Sequence, residues 1–229
     1  MIFESIAPRY DLANTVLSFG LHRRWKRTLV GALRLAAGDI VLDAGTGTGD
    51  LAYLAASMDA RVIGIDLSPA MLEIAARKLT RPAPLRRPPA TARLDLLRGD
   101  LLRLPLGDGA VTAVMSAFVL RHLANLEQAF GELRRVLAPG GRIALLEFSQ
   151  PDGWIRLFYD TYSYRVIPPL GGRLTGDRRA YEVLIRSIRN FPAPAHVAHI
   201  VQGAGFVSVR RRPLTGGIAT LYTATAPAL

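Results

Sequence analysis

Apolar residues along this 229-residue chain alternate between short unbroken runs and helically spaced stripes, a pattern that predicts strands and helices in turn around a largely parallel sheet. Residues 40–42, Ile-Val-Leu, predict a strand buried on both faces, and Leu51, Leu54 and Ala55 follow at helical spacing. Further strands are expected at 61–66, 94–97, 111–119 and 142–148. A helix is expected at 127–137, with Phe130, Leu133 and Leu137 inward, ended by Pro139-Gly140-Gly141. Residues 206–212 and 217–223 read as two closing strands joined by Pro213-Leu-Thr-Gly216.

Three stretches stand outside this alternation. In residues 1–36, Ile2, Phe3, Ile6 and Tyr10 recur at helical spacing, Gly20 interrupts, and Trp25, Leu29 and Leu33 mark a second helix. These helices read either as packing on the sheet or as a cap that turns Tyr10, Asp11 and Asn14 toward a site. Residues 81–92 are rich in proline and arginine and read as a loop. Residues 151–192 hold most of the aromatics, and read either as a helical hairpin with its own small core or as a lid over the strand ends.

Composition narrows the function. Half of the residues are hydrophobic, yet the longest apolar run, around 113–120, is too short to span a bilayer. Glu4 and Arg9 fall where a signal peptide needs apolar residues, so the protein is read as cytoplasmic. The absence of cysteine excludes disulfides, thiolate metal sites and a cysteine nucleophile. A net charge of +11 suggests nucleic acid. However, the basic residues are scattered and the only lysines are Lys26 and Lys78, which favours a codon bias over a phosphate-reading surface. Attraction to an anionic lipid surface needs only net charge and stays open. His196 and His199 have no third ligand beside them, so no metal is expected.

The candidate chemistry begins at Asp43-Ala-Gly45-Thr46-Gly47-Thr48-Gly49-Asp50. Its glycines allow a tight turn and close approach of the backbone to a ligand. The dinucleotide pattern G-x-G-x-x-G fails from Gly45 and survives only weakly from Gly47, with Ala52 in the last place; the phosphate loop is absent. An acidic Asp50 at the helix N-terminus would repel a pyrophosphate and suit a cation, which points to S-adenosylmethionine. Asp66 lies about 20 residues beyond the turn, where a carboxylate accepts from both ribose hydroxyls. NAD sites use the same device, so an NAD-type oxidoreductase is the alternative class.

Asp43 to Gly49 resembles motif I of the class I methyltransferases. With Phe3-Glu-Ser-Ile-Ala-Pro-Arg-Tyr-Asp and Phe118-Val-Leu-Arg, the whole chain resembles the menaquinone/ubiquinone biosynthesis C-methyltransferases. The resemblance implies one α/β domain over residues 1–229 with the Rossmann-like class I methyltransferase fold. That fold is a seven-stranded, mostly parallel sheet with a C-terminal antiparallel hairpin and helices on both faces. It implies S-adenosylmethionine as methyl donor and the ring carbon of a prenylated quinol as acceptor, demethylmenaquinol or a ubiquinone-pathway benzoquinol.

For the cofactor the resemblance implies Tyr10, Asp43, Gly45, Thr46, Gly47, Thr48 and Gly49, then Asp66, Leu67 and Met71, then Asp100, Leu101 and Ala117. For catalysis, Arg121 at the exit of the fourth strand suits a developing phenolate oxygen, and Tyr10 could share that oxygen. His122 is either the base or only a cap on the strand exit. The exit Ser116-Ala-Phe-Val-Leu-Arg-His122 lacks the Pro-Pro-aromatic signature of exocyclic N-methylation. It also departs from the quinone family at Val119 (usually Gly), His122 (usually Asn) and Ala117 (often Ser). Those departures keep another aromatic or lipid-like acceptor as the alternative. The expected partner is the quinol, with no nucleic acid; a peripheral contact at the inner face of the membrane and a homodimer stay open.

Overall fold

The computed structural model describes residues 15–80 and 93–228. Tyr10, Asp11, Asn14 and the expected loop at 81–92 lie outside them. Seven strands form one sheet: β1 (Ile40–Ala44), β2 (Arg61–Asp66), β3 (Leu94–Arg98), β4 (Val111–Ala117), β5 (Leu137–Phe148), β6 (Val207–Leu214) and β7 (Ala219–Thr225). Their order is β3-β2-β1-β4-β5-β7-β6, parallel from β3 to β5, with β7 antiparallel to both β5 and β6. The order reverses between β1 and β4, which opens a crevice at their C-terminal ends.

Period-two alternation sends neighbouring residues to opposite faces. Val41, Met115 and Leu146 pack under helix α1 (Leu21–Leu33) and α2 (Asp50–Ala56), beside Trp25, Leu29 and Leu51. Leu42, Val114 and Leu145 pack on the other face under α4 (Leu126–Val136), beside Phe130 and Leu133. Each buried side chain of this size contributes about 1.5–3 kcal/mol, so the two apolar layers fix the sheet between the helices. Helix α3 (Pro69–Thr80) crosses from β2 to β3, and α8 (Pro194–Gly203) precedes β6.

Three expectations need correction. Leu137 and Pro139-Gly140-Gly141 belong to β5 and not to the end of α4, because the helix stops at Val136 and Leu137 already has an extended backbone. The fourth strand ends at Ala117 rather than at 119, because Phe118 takes a left-handed φ of 63° and a 3-10 turn follows at Leu120–His122. Residues 151–192 form three helices rather than a hairpin: α5 (Gly153–Arg165), α6 (Ile167–Thr175) and α7 (Arg178–Asn190). Pro168 and Pro169 open α6, Gly176 ends it at φ 86°, and the Asp177 side chain caps α7 by accepting from the Ala180 N–H at 3.0 Å.

Candidate active site

The glycine turn is held from below. The N–H groups of Gly45 and Thr46 both donate to the Ile65 carbonyl, at 2.8 and 2.9 Å, which ties the turn to β2. Gly45, Gly47 and Gly49 all have positive φ, the conformation the turn needs. At Gly47 an added Cβ would meet nothing within 4 Å, so this backbone faces open space. The Gly47 N–H donates to Asp66 Oδ2 at 2.8 Å and the Ser68 N–H donates to Oδ1 at 2.9 Å. Burial still raises the Asp66 carboxyl above its usual range.

Asp43 lies under the turn rather than on the cavity wall. Its Oδ2 accepts from the Thr46 hydroxyl at 2.7 Å, while its Oδ1 is buried without a partner. Burial outweighs the Thr46 hydrogen bond and the attraction of Lys26, and pushes this carboxyl up to about 7. Gly49 is also off the wall; it is the N-cap of α2, where an added Cβ would come within 3.1 Å of Ala75.

Asp50 does not act as expected. Its carboxylate is held by Lys26 at 2.8 Å and Lys78 at 2.9 Å, and Lys78 also donates to Thr48 Oγ1 at 3.0 Å. Both lysines of the chain therefore neutralise Asp50, and it is not a bare anion awaiting a cationic ligand.

A cavity of about 640 Å³ joins the turn to the helices of residues 153–190. Gly45, Thr46, Gly47, Thr48, Asp66, Leu67 and Met71 line one end. Asp100, Leu101, Ala117, Arg121 and His122 line the cavity as well. The sequence-derived residues thus converge, apart from Asp43, Gly49 and the undescribed Tyr10. Residues of α5 and α7, among them Tyr159, Leu184 and Ile188, share the lining.

Sequence reasoning missed Glu147, the buried partner of Arg121. The glutamate stands next to last in β5, fully buried, and its Oε1 accepts from Arg121 Nη1 at 2.8 Å and from the Phe148 N–H at 2.7 Å. Its Oε2 accepts from the Arg121 N–H at 3.2 Å. Arg121 Nη1 also donates to the Phe118 carbonyl at 2.6 Å, whereas its Nε is buried without a protein partner. The only hint in the sequence is one acid inside the apolar run Ile-Ala-Leu-Leu-Glu-Phe.

Beside this pair the Phe118 and Phe148 rings stack at 4.4 Å, with Trp25 edge-on to Phe148 at 6.2 Å. The Arg121 guanidinium carbon lies 5.3 Å from the Phe148 ring centre. Burial, reinforced by the Arg121 charge, pushes the His122 imidazole down to about 3, so it is neutral and a weak base at pH 7. Burial pushes the Tyr159 phenol up to about 12, so it stays a donor.

Residues 1–226 match the family model described as the ubiE/COQ5 methyltransferase family. The chain belongs to this family. It is 44% identical over 232 residues to the demethylmenaquinone methyltransferase of Thermus thermophilus, covering 99% of this chain and 100% of that one. It is also 44% identical over 225 residues to the ubiquinone/menaquinone biosynthesis C-methyltransferase UbiE of Syntrophotalea carbinolica, covering 97% and 91% of the two chains. Its fold is similar to that of an S-adenosylmethionine-dependent methyltransferase from Aquifex aeolicus, with TM-score 0.61 and 19% identity, covering 87% of this chain and 88% of that one.

This ubiE/COQ5 family member is therefore an S-adenosylmethionine-dependent methyltransferase, which displaces the NAD-type oxidoreductase reading. The site fits that cofactor. Carboxylates Asp66 and Asp100 face the cavity, and the Gly47 backbone leaves space. That set suits hydroxyls, an amino group and a cation, not phosphates.

Proposed function

We propose that the enzyme methylates a ring carbon of a reduced prenylated quinol, converting demethylmenaquinol to menaquinol. The observation that carries this reading is the continuity of the cavity, from the polar glycine turn past Phe118 and Arg121 to an apolar chamber under α5–α7. The chamber suits an isoprenoid tail, and the stacked Phe118 and Phe148 suit a flat ring. The names of the two relatives agree with this acceptor.

S-adenosylmethionine supplies a methyl carbon made electrophilic by its sulfonium. The residues of the chain do the rest. Asp66 and Asp100 hold the donor, with Gly45 to Thr48, Leu67, Met71, Leu101 and Ala117 around it. Holding donor and acceptor carbon in line can remove about 7–11 kcal/mol of the barrier. A ring carbon attacks only when a neighbouring oxygen carries electron density, so the substrate must be reduced. The S–CH3 bond would break as the C–CH3 bond forms, S-adenosylhomocysteine would leave, and the ring carbon would lose its proton to water. Arg121, with its buried Nε lacking a protein acceptor, donates to that oxygen, and Glu147 fixes the guanidinium. Tyr159 adds a neutral donor, and Tyr10 keeps its sequence-based role at the same oxygen. His122, held neutral, orients rather than abstracts a proton.

In this reading residues 1–229 form one domain, with 1–36 as cap and 151–192 as lid. The enzyme works in the cytoplasm in peripheral contact with the membrane that holds its substrate; among the described residues no helix is long and apolar enough to cross one. A mass-detected assay with S-adenosylmethionine and short-chain demethylmenaquinone tests the reading. Product is expected only with a reductant; product without one would overturn the carbon nucleophile.

A second acceptor, another aromatic or lipid-like molecule methylated at oxygen or carbon, is favoured by one observation. Val119 crowds the turn so closely that a Cβ on Gly45 would lie 2.5 Å from its Cγ2. No product from the short-chain quinol, with S-adenosylhomocysteine still bound, would favour this acceptor.

A further inference from the structure

Four large apolar side chains beside the cavity are left in water. Phe19, Trp154, Leu157 and Phe158 are between 68% and 79% exposed. They are not scattered. Trp154, Phe158 and Tyr162 stand four residues apart on one stripe of α5. Trp154 meets Phe158 edge-on at 5.9 Å, and Phe19 meets Tyr162 at 5.8 Å. Phe19 and Phe158 also line the cavity, so the exposed stripe is the rim of its mouth. A contiguous apolar patch of this kind marks an interaction surface.

The charge around the stripe selects the partner. Arg23, Arg24 and Arg27 are exposed on α1, which begins two residues after Phe19. Residues 153–190 hold seven arginines against three carboxylates. The carboxylate of α5, Asp160, is paired with Arg189 and with Arg156. Aromatic side chains set in a cationic rim match the boundary of an anionic bilayer, where rings enter the headgroup layer and arginines meet lipid charge. A second copy of this chain would set the same arginine-rich surface against this one, between two chains of net charge +11.

We infer that Phe19 and the Trp154–Leu157–Phe158 side of α5 dock on an anionic lipid bilayer, opening the cavity mouth onto the lipid surface. This rests on the quinol reading above, because a prenylated acceptor could then pass from bilayer to cavity without crossing water. The docking is also superficial. Its apolar element is one turn-spaced stripe of a 13-residue helix, and its charge contribution is screened by salt.

The test is flotation of the full chain with phosphatidylcholine vesicles, with and without phosphatidylglycerol, at low and high salt. A Trp154→Ser, Leu157→Ser double variant is compared with the parent, since both side chains are exposed and neither lines the cavity. The parent is expected to float with anionic vesicles and to be released by salt. The double variant is expected to bind about tenfold more weakly or less, with its thermal midpoint and its turnover of short-chain demethylmenaquinol unchanged. Vesicle binding equal in parent and variant would overturn the docking. So would a parent that ignores vesicles but forms a dimer that the double variant loses, which would give the face to a second copy. Absence of turnover in both proteins would strike the substrate reading instead, and flotation would still decide the docking.

Discussion

Arg121 and Glu147 meet at 2.8 Å with both side chains closed to solvent, and the bond links the exit of β4 to the end of β5. Removing one partner from such a pair leaves a buried charge uncompensated, at a cost of about 3–5 kcal/mol. Glu147→Ala is expected to lose stability of that order in urea unfolding. Arg121→Lys keeps a cation but loses the forked donor geometry. It is expected to bind S-adenosylhomocysteine normally in calorimetry and to lose turnover, and unchanged turnover would remove Arg121 from the reaction.

Asp66 accepts from the Gly47 and Ser68 N–H groups and faces the cavity, so it shapes the turn as well as meeting the ligand. Asp66→Ala is expected to weaken S-adenosylhomocysteine binding at least tenfold, about 1.5–3 kcal/mol for a charge-assisted hydrogen bond. Titration calorimetry reads this directly, and parental affinity would refute it.

Two buried groups give opposite pH dependences. Burial raises Asp43 from 3.8 to about 7, so the folded protein holds a proton there that the unfolded chain has released. Stability from this group is full below 3.8 and falls as pH rises toward 7. Asp43→Asn is expected to flatten that fall, read as urea midpoints at pH 5 and pH 8.

His122 runs the other way. Burial and Arg121 lower it from 6.5 to about 3, so its contribution is present above 6.5 and is lost as pH falls toward 3. His122→Gln is expected to soften acid unfolding in that window. Because the imidazole is neutral throughout the working range, the variant is also expected to keep the shape of the parental pH–rate profile. A break near neutral pH that vanishes in the variant would make His122 the base.

Gly45 and Val119 test the crowding of the turn. Gly45→Ala would place a Cβ 2.5 Å from Val119 Cγ2 at a φ of +74°. Overpacking costs about 1–3 kcal/mol and a left-handed residue about 1–2 kcal/mol more. Adding Val119→Gly should recover the packing part and leave the backbone part, which a double-mutant cycle in urea separates.

The strands, the glycine turn and Asp66 were legible because each is a local pattern: an apolar run, a set of positive-φ residues, a fixed spacing. Arg121 was legible by its place at a strand exit, but not its partner, since Glu147 lies 26 residues away and is joined only through the pairing of β4 with β5. The capture of Asp50 by Lys26 and Lys78 was hidden for the same reason: three elements must pack before the carboxylate is neutralised. The three helices at 153–190 were blurred because α5 carries aromatics on both its exposed and its inward sides, which erases the usual amphipathic stripe.

The place of β7 bears on the birth of the protein. It is the last strand in chain order, yet it sits between β5 and β6. As the chain leaves the ribosome, at about 5–20 residues per second, β5 keeps an open edge until residues 219–225 have emerged. Glu147 pairs in register with Thr220, so the acid that anchors Arg121 lies on the strand whose edge β7 closes. During synthesis the unpaired β5 edge is the place where a nascent chain would capture a neighbour, and the arrival of β7 ends that exposure.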